Sequence, residues 1–248
     1  MNFIKDFFNE MISMFKPYYK YIRFFLVLLL FFTSSMFQII PIKIFNLDIN
    51  NISNDIKPWL TLFSKSITLI ILVLLYYKDF KRHLINLRKM KKEKLIVKFD
   101  HAFRYWLIGL IIMLVSNILI KNLGIGNAQN DVSVTNNLMF SPIIFGLITF
   151  ILAPILEEIT FRLAFKDIFK NKWIYILLSG LVFGSIHVIF SLTDITQLLY
   201  LIPYCSLGIA FSYIYYDSDN IYIPISFHIL HNSLTAIVTF LLMGALIW

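Results

Sequence analysis

The sequence predicts an all-α fold, a polytopic membrane helical bundle of about seven transmembrane helices preceded by an amphipathic N-terminal helix. Three observations carry that expectation. Of the 248 residues, 59% are hydrophobic and the mean hydropathy is +0.77, whereas soluble domains average about 45–50% apolar. Apolar runs of about 20 residues, enough to cross a hydrocarbon core of roughly 30 Å, recur along the chain. The runs are continuous rather than alternating, which suits helices and not barrel strands.

Residues 2–18 come first. Phe3, Phe7, Phe8, Met11, Ile12 and Phe15 recur at spacings of three and four, with Lys5, Asp6, Asn9 and Glu10 between them. This is an amphipathic helix suited to a membrane interface or to the protein's own surface, and it lacks the layout of a cleavable signal peptide. Spans are then expected near 22–44, 58–77, 105–121, 138–162, 173–191, 198–216 and 221–247. Lys65, near the start of the second span, is expected to snorkel toward the outer surface. Two parts follow: 1–137, with the amphipathic helix, three spans and a basic loop, and 138–248, where the unusual polar residues lie.

Charge sets the orientation. Between Lys78 and Arg104 there are ten Lys/Arg against three Asp/Glu, so most of the net +8 lies between two spans. Lys16, Lys20 and Arg23 precede span one, and Lys166, Lys170 and Lys172 separate spans four and five; the alternate loops are poor in cations. The positive-inside rule then makes the N-terminus of this multi-pass cell-membrane protein cytoplasmic. The same confinement of charge argues against a nucleic-acid partner. The single cysteine, Cys205, excludes a disulfide framework.

Charged groups inside membrane helices cost at least about 2.5–3.5 kcal/mol each, so each needs a reason. Glu158 and Arg162 are four apart on one helix face and can pair. Glu157 is rotated about 100° from that pair and must find its partner on another span. His187 is a candidate, because Glu157 and His187 each lie 15 residues from a turn at Lys172. His228 and Asn232 share a face of the last span, with His231 beside them. A buried glutamate is a general base toward water, a histidine can hold the same water, and a histidine–asparagine pair supplies donors to an oxyanion. The inventory suits water attack on an amide. No cofactor is expected; zinc is the alternative, although no HExxH is present and His228 and His231 are three apart, so their rings diverge.

Glu157-Glu158-x-x-x-Arg162, then Phe183-x-x-x-His187, then His228-x-x-x-Asn232, in that order and each inside an expected span, resembles the three motifs of the CPBP intramembrane proteases, also called Abi. The family includes the CaaX prenyl-protein endopeptidases and bacterial proteins linked to bacteriocin processing or self-immunity. The resemblance covers about residues 140–240. It implies an intramembrane endopeptidase with a cavity open to the cytoplasmic side, where a leader, signalling or bacteriocin-type peptide would be cleaved. Carried over by position, Glu157 and His187 would activate water, His228 and Asn232 would stabilise the oxyanion, and Glu158 and Arg162 would support them. Two other classes compete: a non-catalytic immunity or scaffolding protein, and a small transporter. Transporters commonly carry paired repeats with interrupted helices, and here the polar groups are confined to the second half.

Overall fold

The computed structural model describes residues 16–245, and every regular element among them is helical. The expected amphipathic helix at 2–18 lies almost wholly outside the described residues. Helix α1 (Tyr19–Phe32) is joined by a 3-10 turn at Ser34–Gln38 to α2 (Ile39–Ile44). The chain bends by 60° there, so the expected span 22–44 is a broken one. Thr33 sits at the break, its Oγ1 donating to the Leu29 carbonyl at 2.6 Å, the local side-chain competition that bends helices. Helix α3 (Lys57–Leu75) follows. The expected basic loop is instead helical: α4 (Tyr77–Lys89) and the first turns of α5 (Lys92–Asn122). At about 1.5 Å per residue, α5 runs well beyond a bilayer's apolar thickness. Its middle turns its lipid-suited face outward, with Ile108, Ile111, Val115 and Ile118 each about half exposed.

Beyond α6 (Gln129–Phe140), the segment Pro142–Ile168 forms one long helical element, α7. Helices α8 (Lys172–Ile189), α9 (Leu201–Ser218) and α10 (Tyr222–Ala245) complete the bundle. Among the described residues, five helices are long and apolar enough to cross a membrane, or six if the bent α1–α2 pair is one span. The expected count of about seven is not reached among these; the last expected span corresponds to α10, part of which lies outside the described side chains.

Helix α9 is the centre of the second half and packs against both α8 and α5. The α8–α9 contact is backbone to backbone. A Cβ on Gly180 would fall 2.6 Å from the Ile209 nitrogen, one on Gly184 2.5 Å from the Cys205 nitrogen, and one on Gly208 2.4 Å from the Gly180 carbonyl oxygen. Small residues at such a seam let membrane helices approach closely, the main source of attraction where lipid removes the hydrophobic drive. The first-half helices share this core: Val27 and Leu72 belong to one buried cluster with Leu156, Phe161 and Phe183.

The cation-rich segments gather at one end. Arg23 donates to Asp167 at 2.9 Å and to Asp79 at 3.0 Å, and the Tyr76 hydroxyl also donates to Asp167 at 2.9 Å. Buried His83 on α4 sits under the α9–α10 turn, where the Asn220 side chain donates to its carbonyl at 2.8 Å and the Ile221 N–H to its Nδ1 at 3.3 Å. Lys98 donates to the Ser218 carbonyl in the same region. Lys65 departs from expectation. Its ammonium does not snorkel outward but donates to Ser34 Oγ at 3.0 Å, over the Phe31 ring. The α1–α2 break leaves that serine hydroxyl buried, and a cation beside an inward polar group needs no route to water.

Candidate active site

Helix α7 is irregular on both sides of the two glutamates. The backbone widens into π turns at Ile148–Leu152 and again at Ile159–Ala164, with a regular stretch, Ala153–Glu158, between them. Pro154 has no N–H for the carbonyl four residues back, which favours a widened turn just before it. The polar groups that π turns expose are taken up by side chains: Thr160 donates to the Leu156 carbonyl at 2.8 Å, Ser179 to Phe161 at 2.6 Å, and Asn232 to Thr149 at 3.0 Å.

Glu158 and Arg162 pair as their spacing predicts, and both are fully buried. Arg162 Nε donates to one Glu158 oxygen at 2.9 Å and its NH2 to the other at 3.3 Å; NH1 reaches Ser179 at 2.8 Å and Ser212 at 3.1 Å. The guanidinium thus spends its donors on three helices. A buried ion pair is tolerable only when its remaining hydrogen-bonding capacity is filled in this way.

His228 joins the knot from α10. Its Nδ1 lies 3.0 Å from Glu158 Oε1 and its Nε2 lies 3.5 Å from Glu157 Oε2, so one imidazole bridges the adjacent carboxylates. The ring stacks on Phe211 with centroids 4.7 Å apart. The expectation that Glu157 seeks another span is met by His228 on α10. No contact between Glu157 and the proposed partner His187 is recorded among the described residues; the two share a cavity instead. Equal distance from the turn puts them at similar depth, but α10 comes between as the nearer donor.

That cavity has a volume of about 350 Å³, and Glu157, His187, His228, His231 and Asn232 all line it. His187 is held by rings alone among the described contacts: stacked on Tyr204, with centroids 5.1 Å apart and planes at 14°, and edge-on to Phe183 at 4.9 Å. The Tyr204 hydroxyl in turn donates to Asp131 and accepts from Asn130 Nδ2 at 3.2 Å, both on α6. Sequence reasoning missed Tyr204, Phe211, Ser179, Ser212 and Thr149. The aromatic pair sits in apolar runs that mark only burial, and the Thr149 carbonyl is a backbone group freed by a π turn that composition does not reveal.

From Glu157 the cavity extends to Asn130 and Asp131 in the first turn of α6, at the end where the Tyr200 hydroxyl meets the Gly126 carbonyl. This is the cation-poor end. The opposite end is filled by the Arg23–Asp79–Asp167 network and the His83 clamp.

Among the described residues, no group of three or more His, Cys, Asp or Glu converges as metal ligands would. Both Glu158 oxygens are occupied by Arg162, His187 lies flat on Tyr204, and His231 turns edge-on to Phe211 and Trp106.

The comparisons with known proteins meet the same region. Residues 139–234 match the family described as type II CAAX prenyl endopeptidase Rce1-like. A protein of Bacillus subtilis (strain 168) named "Putative membrane peptidase YdiL" is 27% identical over 119 residues, which is 46% of this chain and 45% of that protein. The match thus spans less than half of that relative's length. No solved structure matches the chain. The matched residues hold all three motifs and every residue of the Glu157–Glu158–Arg162–His228 cluster, so the similarity to that family falls on the part of the chain that carries the candidate site.

Proposed function

We propose that this multi-pass membrane protein is an intramembrane endopeptidase that hydrolyses a peptide bond with water activated by Glu157. One observation carries the reading: Glu157 faces a cavity, while the residues around it are locked. Glu158, Arg162, Ser179 and Ser212 form a fully buried knot that leaves no oxygen or nitrogen free for chemistry, yet the knot holds His228 with its Nε2 turned toward Glu157. A group that orients one ring nitrogen through hydrogen bonding at the other is the usual device for fixing a catalytic imidazole.

Charge balance supports the same roles. Glu157, Glu158 and Arg162 together carry one net negative charge, and a single proton shared between Glu157 and His228 makes the cluster neutral, as a low-dielectric site requires. With that proton on His228, Glu157 is free to take a proton from water. The hydroxide adds to the substrate carbonyl carbon, and the carbonyl π pair moves to oxygen. His228 and the second N–H of Asn232 are the donors nearest to hand for that oxyanion. Collapse of the intermediate breaks the C–N bond, and the proton taken by Glu157 passes to the leaving amine. His187, across the cavity, holds the attacking water. The charge distribution supports a cytoplasmic N-terminus in the cell membrane.

The test uses purified protein in phospholipid vesicles with a defined peptide library, reading new termini by mass spectrometry. Cleavage by the parent, lost in Glu157→Gln and retained after exhaustive chelation, is expected. A parent that generates no new termini, or a Gln variant that generates the same ones, would count against an endopeptidase and for a non-catalytic protein that keeps the motifs as structure.

A further inference from the structure

The bundle has two ends of unlike charge, and the cavity reaches only one of them. At the first end lie Lys20 and Arg23, the ten cations from Lys78 to Arg104, and Lys166, Lys170 and Lys172. These segments touch one another in the fold: Arg23 pairs with Asp79 and Asp167, and His101 with Asp217. At the other end, Lys43, Lys57 and Lys121 are set against Asp48, Asp55, Asp131 and Asp194, a net charge of −1. Cation-rich ends are retained in the cytoplasm. The cavity starts at Glu157 and continues past His187 and Tyr204 to Asn130 and exposed Asp131 on α6. On the cation-rich side it is stopped by fully buried Glu158 and Arg162, and beyond them by the packed Leu156–Phe161–Phe165 core.

The outer part of the cavity carries a row of polar groups among the apolar Met113, Val134 and Leu138. Asn117, Asn130, Asp131, Thr135 and Tyr204 line it, and no lysine or arginine does. Amide, hydroxyl and carboxylate groups in a row offer donors and acceptors to an extended peptide backbone, whereas an acyl chain would leave them unpaired at a cost. Tyr204 adds a link: its ring positions His187, and its hydroxyl is tied to Asn130 and Asp131. A chain entering over α6 thus passes groups already connected to the candidate site.

We infer that the cavity is entered from the non-cytoplasmic side of the membrane, over the first turn of α6, and that its substrate is a peptide segment presented on that face. The substrate clause rests on the endopeptidase reading; the direction of entry does not.

The chain's only cysteine, Cys205, is buried, so a Cys205→Ala background allows single reporter cysteines. Asn130→Cys marks the cavity mouth and Lys94→Cys the basic end. Living cells would be treated with a membrane-impermeant maleimide, and labelling in denaturant would confirm that each variant is present. Asn130→Cys labelled in intact cells, with Lys94→Cys labelled only after permeabilisation, is the expected result. Asn130→Cys silent in intact cells, whether it labels after permeabilisation or never, overturns the direction of entry. A second arm offers the peptide library to intact cells and to inverted vesicles. Glu157-dependent cleavage by intact cells supports the substrate clause, and cleavage by inverted vesicles alone overturns it. Absence of cleavage in both sinks the endopeptidase reading and the substrate clause together, while the labelling still decides the route.

Discussion

Two regions meet between Glu157 and Glu158, and they differ in everything except sequence position. Behind Glu158 lies a dry knot in which each carboxylate oxygen and each guanidinium nitrogen has a partner from α7, α8, α9 or α10. In front of Glu157 lies a cavity in which imidazoles, amides and hydroxyls stand among apolar side chains, and its close partner among the described residues is a histidine at 3.5 Å. One helical step of about 100° separates structure from availability. The contrast teaches that the charge in this membrane helix is present twice for different reasons: once to hold His228 and three helices together, once to face a substrate.

Breaking the knot should give the largest effect on stability. Arg162→Ala leaves the buried Glu158 carboxylate without its cation and takes the guanidinium donors away from Ser179 and Ser212, a class of change that costs about 3–5 kcal/mol. Thermal unfolding in detergent should show a marked loss of stability together with lower yield. An Arg162→Ala protein that melts with the parent would mean the knot is not what holds these helices. Next in size is the α8–α9 seam. Gly180→Leu must displace the backbone of Ile209, which a Cβ alone would approach to 2.6 Å. Overpacking of this kind costs about 1–3 kcal/mol, read in the same melts, and it should shift Phe183 and His187, which ride on α8.

How much of this was legible follows from the residues themselves. The Glu158–Arg162 pair was readable because i,i+4 spacing fixes a shared face whatever the tertiary fold. The all-helical membrane character was readable because apolar runs of that length have one solution in lipid. The partner of Glu157 was misread, since counting from a turn gives depth but not which helix stands nearest. The bend at Thr33 and the helical nature of 77–89 were also missed. Alternating charge hid an amphipathic helix whose inner side carries His83. The Gly180-x-x-x-Gly184 spacing was present in the sequence and is the signal by which the α8–α9 seam is recognisable.

A smaller effect should come from the clamp at the basic end. Burial, with the neighbouring Arg82 cation, holds the His83 imidazole below its ordinary value. The folded state therefore resists its protonation: the contribution of His83 is complete above a pH of about 6.5, the unfolded value, and declines as pH falls below it. Melting temperatures of parent and His83→Gln measured across that range should converge toward acid. A constant difference at every pH would remove His83 as an acid-sensitive element. Smallest is Asn232→Ala. It deletes one neutral hydrogen bond to Thr149, about 0.5–1.5 kcal/mol of stability, so any larger fall in turnover than in stability reports a role beyond anchoring.

The division between knot and cavity is tested most directly by making the same isosteric change on both sides of it. Glu157→Gln and Glu158→Gln would each be purified, melted and assayed for peptide cleavage on the same preparations. The account predicts that Glu157→Gln stays folded and melts closer to the parent than Glu158→Gln does, yet cleaves nothing, while Glu158→Gln loses stability and activity together. A Glu157→Gln protein that turns over peptide at the parental rate would contradict it.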